Sequence, residues 1–183
     1  MQLNLYSVSD KYIEYLRKFD DRVYDNKQEI RVHTRKYLGI VLNINSFNYY
    51  IPFSSPKNTD YYDMDKKQIR KSIVPIIRIA EKNNNKHKLY GTLRISNMIP
   101  VPITEITPYF VQDEKDVNYK NLILSELRFI RKNTKMIIRN ANVLYKQKEN
   151  EEDITYVKNT LNFKLLEQKC LEHIKDKNSI KYL

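Results

Sequence analysis

The sequence predicts an α+β domain, with antiparallel hairpins in its first half and amphipathic helices in its last third. Two patterns carry this. From Tyr37 to Asn45 apolar residues alternate with period two, and from Ile123 to Leu144 they step by four and three residues, as a helix burying one face requires. A third observation keeps the chain in one unit. Its 183 residues, 41% of them apolar, can bury a full core without disulfide or metal staples, and no stretch rich in Pro, Gly or Ser divides 1–183 into separate domains.

In chain order, Ser9 is the expected N-cap of a helix running to about Asp21, where Tyr12, Leu16 and Phe19 share a stripe that Ile13 and Tyr15 widen. Residues 22–36 are polar without a sustained period and read as a loop with a basic end at Arg31, His33, Arg35 and Lys36. The strand at 37–45 places Leu38, Ile40, Leu42 and Ile44 on one face; after a short polar break, Tyr49, Ile51 and Phe53 alternate in a second strand, and the two form a hairpin. Pro52 argues for an edge position or an early strand end, since proline donates no ladder bond.

Polar residues 58–72 separate this hairpin from a second one, Ile73–Ala80 with Leu89–Ile95, joined through Asn83-Asn84-Asn85. Met98–Ile103 carries two prolines and is expected to be a short edge strand or an extended crossing. A long helix follows from about Val117 to Tyr145, bent near Asn133-Thr134, and a last helix from Ile154 to Ile174 turns Phe163, Leu166, Cys170 and Ile174 to one side.

Composition excludes several classes. The lone Cys170 rules out an internal disulfide framework, and with His33, His87 and His173 as the only histidines a zinc site is hard to assemble. Gly39 and Gly91 are the only glycines, so P-loop and dinucleotide-binding motifs fall away. No signal-peptide core or long apolar span appears, and a soluble, cytoplasmic protein with no membrane association is expected. What remains is a formal charge of +11 and a pI near 9.5, joined to fifteen tyrosines. Positive charge draws in a polyanion and aromatic faces stack on bases, which points first to single-stranded RNA. Basic proteins also bind membranes or acidic partners, and most tyrosines simply pack. The charge is uneven: residues 116–148 hold eight Lys/Arg against Asp116 and Glu126, a balance of +6.

Three groups could carry chemistry. Phe53-Ser54-Ser55-Pro56-Lys57 leaves the sheet with two hydroxyls and an ammonium together; Pro56 holds Ser55 extended, and Lys57 could neutralise a phosphate or protonate a leaving oxygen. The same residues also make an ordinary turn. Arg31, His33, Arg35 and Lys36 reach the same end of the sheet or form a solvated loop. Tyr12, beside Lys11, stacks on a base or packs in its helix. His87 and His173 read as surface residues, and Cys170 as core.

These pieces form a recognisable series. Lys11-Tyr12-Ile13-Glu14-Tyr15-Leu16 with Phe19-Asp20, Tyr37-Leu38-Gly39-Ile40-Val41-Leu42, Ser54-Ser55-Pro56-Lys57, Asn97-Met98-Ile99-Pro100-Val101 and Glu126-Leu127-Arg128-Phe129-Ile130-Arg131 occur in this order. Together they resemble the ToxN/AbiQ family, the protein toxins of type III toxin–antitoxin systems, over nearly the whole chain. The resemblance implies a compact antiparallel β-barrel of Kid/MazF-like (SH3-like) type surrounded by helices. It implies an endoribonuclease that processes a small repetitive antitoxin RNA, is inhibited by it in a closed toxin–RNA assembly, and cleaves cellular or phage RNA to abort infection.

By the same resemblance Ser55 and Lys57 take the catalytic positions with Ser54 as neighbour, and Arg35 is the nearest match to a basic residue lining the site. The implied chemistry is attack of a ribose 2′-oxygen on the adjacent phosphate, giving a 2′,3′-cyclic phosphate and a 5′-hydroxyl, with no metal and no cofactor. Such a reaction needs positive donors where charge builds on the phosphorane and a route for protons. Lys57 is assigned to phosphate charge or leaving-group protonation, Ser55 to holding the phosphate or 2′-hydroxyl, and Arg35 to phosphate binding. Lys11, Tyr12, Arg31, His33, Lys36, Arg128, Arg131, Lys132 and Lys135 are the candidate RNA contacts. A serine nucleophile is disfavoured, since no His/Asp arrangement would activate it. A non-catalytic single-stranded RNA-binding module would use the same charge and tyrosines; a DNA-binding regulator lacks a recognisable helix-turn-helix.

Overall fold

The hairpin read from residues 37–54 lies at the centre of the sheet. In a computed structural model, which describes residues 3–26, 33–83 and 86–180, β2 (Tyr37–Ile44) pairs antiparallel with β3 (Phe47–Ser54). The turn is only Asn45-Ser46, both at positive φ, the backbone that lets a two-residue turn follow the twist of its strands. Gly39 faces the ring of Tyr50 so closely that a Cβ would collide with it, which is why this strand position takes no side chain.

Around this hairpin the order is β6-β7-β3-β2-β1-β9, with β8 added to β3. Here β1 is Asn4–Val8, β6 Ile76–Asn83, β7 Lys86–Arg94, β8 Ile99–Pro100 and β9 Ile106–Pro108, and a separate ribbon joins β4 (Tyr61–Asp63) to β5 (Gln68–Ile69). Helices and an antiparallel sheet are present as expected, but among the described residues β6 and β9 end the path without pairing with each other, so no closed barrel is found. The reason lies in β3, which divides its second edge: Tyr49-Tyr50 pair with β8 and Phe53-Ser54 with β7, so the β6–β7 hairpin joins the sheet only at the strand's end. Pro52 falls between these two partners, where a missing N–H interrupts neither ladder; β3 is therefore an inner strand despite its proline. β1, which no local pattern in the sequence announces, lies between β2 and β9.

The first helix, α1 (Asp10–Arg17), is capped as expected, the Ser9 hydroxyl accepting the Tyr12 N–H. The long helix α2 (Val117–Glu149) is continuous, buries Ile123, Ile130, Ile137, Ala141 and Leu144, and packs against β2, β6 and β7 as well as the helices that follow it. The expected last helix is two: α3 (Thr155–Lys158) and α4 (Phe163–Ile180). Thr160 turns its hydroxyl onto the Tyr156 carbonyl and Asn162 accepts the Leu165 N–H, so a side chain restarts the helix where one continuous run was read.

Tyrosine builds much of the core. Tyr12, Tyr37, Tyr49 and Tyr50 are fully buried. Tyr49 and Tyr145 both donate to Glu167 Oε1, at 2.8 and 2.7 Å. Tyr12 donates to the Pro100 carbonyl at 2.9 Å and packs edge-on against His173, so it is unavailable to stack on a base. His173 is likewise no surface residue: it contacts the buried Glu105 at 2.8 Å, and Ser9 and Lys177 bind the same carboxylate.

Candidate active site

The end of β3 is held from both sides. Phe53 N–H donates to Lys36 O at 3.0 Å, and the Thr92 hydroxyl reaches Ser54 O at 3.4 Å. Beyond it the chain enters a one-turn helix at Asn58–Asp60, in which Asp60 N–H donates to Lys57 O at 2.9 Å. The Asp60 carboxylate returns the contact by accepting the Lys57 N–H at 3.0 Å.

Asp60 is fully buried and lies 3.1 Å from Arg78 and 3.3 Å from Arg94, themselves buried. The Arg78 contact is close but poorly directed, since Asp60 Oδ1 makes no hydrogen bond of good geometry. Burial pushes the Arg78 guanidinium below its ordinary value, although the Asp60 charge opposes that shift. Two cations and one anion beneath the turn thus fix the backbone from which Ser54, Ser55 and Lys57 project. Ser54 is half-buried, with its hydroxyl donating to Ser55 O at 3.3 Å, while Ser55 and Lys57 are exposed.

A cleft of about 330 Å³ opens at this strand end. Ser54, Ser55 and Phe53 form one wall, residues 33–36 a second, and Tyr119, Leu122, Ile123 and Glu126 of α2 a third, with Tyr90 of β7 at the side. Arg35 lines it but is 4% exposed. Its guanidinium donates to Phe53 O and, at 3.2 Å, to Asp25 O, and lies 4.5 Å from the centre of the Tyr24 ring. The strand end is therefore tied to Arg35 directly, and its positive charge underlies the two serines.

His33 stacks face to face on Tyr119 at 3.7 Å and 3° and lies 3.4 Å from Asp116, joining this wall to the start of α2. Asp116 is the N-cap there, and the Tyr119 N–H holds its carboxyl below the usual value. Lys36 is half-buried, 4.1 Å over the Tyr109 ring, and burial lowers its pKa.

Glu126 is the residue the sequence reading passed over. It is 9% exposed, has no hydrogen-bond or ion-pair partner among the described residues, and desolvation alone pushes its pKa up to about 8. A signal was present: Glu126 follows Ile123 by three residues and precedes Ile130 by four, which puts an acid on the apolar stripe. Asp60 gave no such signal, being one acid in a polar stretch.

Of the other nominated contacts, Lys11, Arg128, Arg131, Lys132 and Lys135 are exposed and line no part of the cleft. The four on α2 follow Glu126 by two, five, six and nine residues, which turns them to the opposite side of the helix. Any RNA they hold runs outside the cleft. Arg31 lies outside the described residues, His87 is exposed in its hairpin, and Cys170 is a buried core thiol.

Residues 4–171 match the family described as toxin ToxN of type III toxin–antitoxin systems. The chain is 35% identical to endoribonuclease AbiQ of Lactococcus lactis subsp. lactis over 93% of its own length and 88% of that protein. A solved structure of AbiQ, a lactococcal anti-phage endoribonuclease of the type III class, superposes with a TM-score of 0.78 at 31% identity, covering 96% of this chain and 99% of the other. A further solved structure, from work on selective inhibition of a type III toxin by a non-coding RNA pseudoknot, gives 0.76 at 26% identity over 94% and 98%.

Proposed function

The chain belongs to the ToxN family of type III toxin–antitoxin toxins, and from that premise we propose that it is an endoribonuclease that cuts in the cleft at the end of β3. One observation supports this reading above the others. The two hydroxyls of Ser54 and Ser55 and the ammonium of Lys57 leave a strand end locked by Arg35, Thr92 and Asp60, beside a cleft with a buried cation at its base. Preorganised donors around a phosphate are what attack by a 2′-oxygen requires, because they stabilise phosphorane charge without reorganising.

In this reading Lys57 meets the non-bridging phosphate oxygens, Ser55 holds the phosphate or the 2′-hydroxyl, Ser54 braces it, and Arg35 sets the strand end and the local potential. His33 and Lys36 line the entrance, and Lys11 and the basic face of α2 carry RNA outside it. The substrate class is single-stranded RNA, including a repetitive antitoxin precursor that the toxin processes and that inhibits it within a closed toxin–RNA assembly; released in the cytoplasm, the toxin cleaves cellular or phage RNA. The open sheet is taken as a relative of the Kid/MazF-like arrangement.

The test is incubation of the purified chain with antitoxin precursor RNA in EDTA, followed by end-group analysis. The expected products carry 2′,3′-cyclic phosphate and 5′-hydroxyl ends, and Ser55→Ala and Lys57→Ala each slow their appearance at least about 100-fold. Products with 5′-phosphate ends would overturn the mechanism. RNA recovered intact at full length, bound with salt-dependent affinity, would make the protein a non-catalytic RNA-binding module instead.

A further inference from the structure

Glu126 reaches the cleft from the first third of α2 and has no cation as partner among the described residues. Of the other charged groups lining it, Arg35 donates to Phe53 O and Asp25 O, His33 stacks on Tyr119 beside Asp116, and Lys36 lies over the Tyr109 ring; Tyr90 and Tyr119 are the remaining titratable side chains of the lining. On the other side lies Gly91, whose lack of a side chain makes room for the acid: a Cβ at that position would stand 2.5 Å from Glu126 Oε1 and 3.3 Å from Ser54 O. The carboxyl and the Ser54 backbone thus crowd the same point, and one substituent on Gly91 would strike both. Burial without a partner keeps a carboxyl in its neutral form, because nothing in the surroundings repays desolvation of the anion.

A neutral carboxyl suits a phosphate site. It does not repel the incoming phosphodiester, and it holds one proton that it can give. We propose that Glu126 is a further catalytic residue, the general acid that protonates the departing 5′-oxygen.

The inference rests on the reading that RNA is cut in this cleft. As the 2′-oxygen forms its bond to phosphorus, its proton passes to water. The bond from phosphorus to the 5′-oxygen breaks with its electron pair on that oxygen, which takes the proton of Glu126. The carboxylate left behind is reprotonated from solvent. Lys57 is then left to phosphate charge alone. A carboxyl whose pKa stands at about 8 holds its proton at neutral pH yet gives it up readily, the balance an acid catalyst needs.

The experiment measures kcat/KM against pH for RNA cleavage by the full chain, read as 5′-hydroxyl ends above the uncatalysed background, for wild type, Glu126→Gln, Glu126→Asp and Ser55→Ala. Wild type is expected to decline above about pH 8, where the free carboxyl ionises. Glu126→Gln loses about 100-fold or more and loses that alkaline decline, while binding RNA like wild type and unfolding at no lower denaturant concentration; Glu126→Asp recovers part of the rate with the decline. Once the cleavage position is mapped, RNA with a bridging 5′-sulfur there provides a leaving group that needs no proton, and Glu126→Gln should cut it at nearly the wild-type rate.

A Glu126→Gln enzyme with an unchanged rate and profile overturns the proposal. So does a rate that climbs with pH up to 8, which would make the group a base, or a loss that the sulfur substrate does not relieve. If Ser55→Ala cuts normally, the reading of the cleft itself is wrong, and the two failures are told apart.

Discussion

Two buried carboxylates flank the turn that carries Ser54, Ser55 and Lys57, and their surroundings are opposite. Asp60 lies beneath it between Arg78 and Arg94 and accepts the Lys57 N–H. Glu126 lies across the cleft with neither cation nor hydrogen-bond donor among the described residues. Burial costs both of them hydration. In Asp60 the two guanidinium groups offset that cost and the side chain becomes part of the scaffold; in Glu126 nothing among the described residues offsets it, and the acid keeps its proton. Burial alone therefore does not tell a structural acid from a chemical one, and the identity of the neighbours does.

The largest effect should come from breaking the paired member. Asp60→Ala leaves two buried guanidinium groups without their anion and should cost about 3–5 kcal/mol in guanidinium chloride unfolding at neutral pH. A loss under about 1 kcal/mol would mean that the arginines turn out to water and that the pair is no scaffold.

The unpaired member should respond with the opposite sign. The folded pKa of Glu126 lies above its unfolded value, so its contribution is fully present below about pH 4.5 and is lost as pH rises toward 8. Glu126→Gln should accordingly be more stable than wild type by roughly 2–3 kcal/mol at pH 7, with the difference vanishing near pH 4. Urea unfolding at both pH values checks this; a difference independent of pH would show that the carboxyl finds a partner in solution.

The smallest effect on stability marks the limit of the comparison, charge with no burial at all. Arg131→Ala and Lys135→Ala, both exposed on α2, should change stability by under about 0.5 kcal/mol. Each should instead lower the salt dependence of RNA affinity by about one phosphate contact, measured as the slope of log affinity against log salt. An unchanged slope would remove this face of α2 from the RNA surface.

What could be read from the sequence follows the range of the interactions. The β2–β3 hairpin and α2 announce themselves because their apolar periods are local. The strand β1 does not, because five residues from Asn4 to Val8 become a strand only through pairing with β2 and with β9, a hundred residues on. Tyr12 shows the same limit within one side chain: helical spacing placed it on a stripe, but only the Pro100 carbonyl and His173 decide that the stripe is core. The Ser54–Lys57 turn was visible as residue types, whereas the arginines that support it come from β6 and β7, and no spacing along the chain links them to Asp60.

The order of the strands has a consequence for a growing chain. The walls of the cleft come from residues 33–36, 53–55, 90 and 119–126, and β1 waits for β9 at 106–108 before its second edge is filled. A nascent polypeptide on the ribosome can thus display its serine turn early but cannot enclose a substrate until α2 has emerged from the exit tunnel. The cleft is thus among the last features of the molecule to be completed, since one of its walls belongs to α2 and only α3 and α4 follow it in the chain.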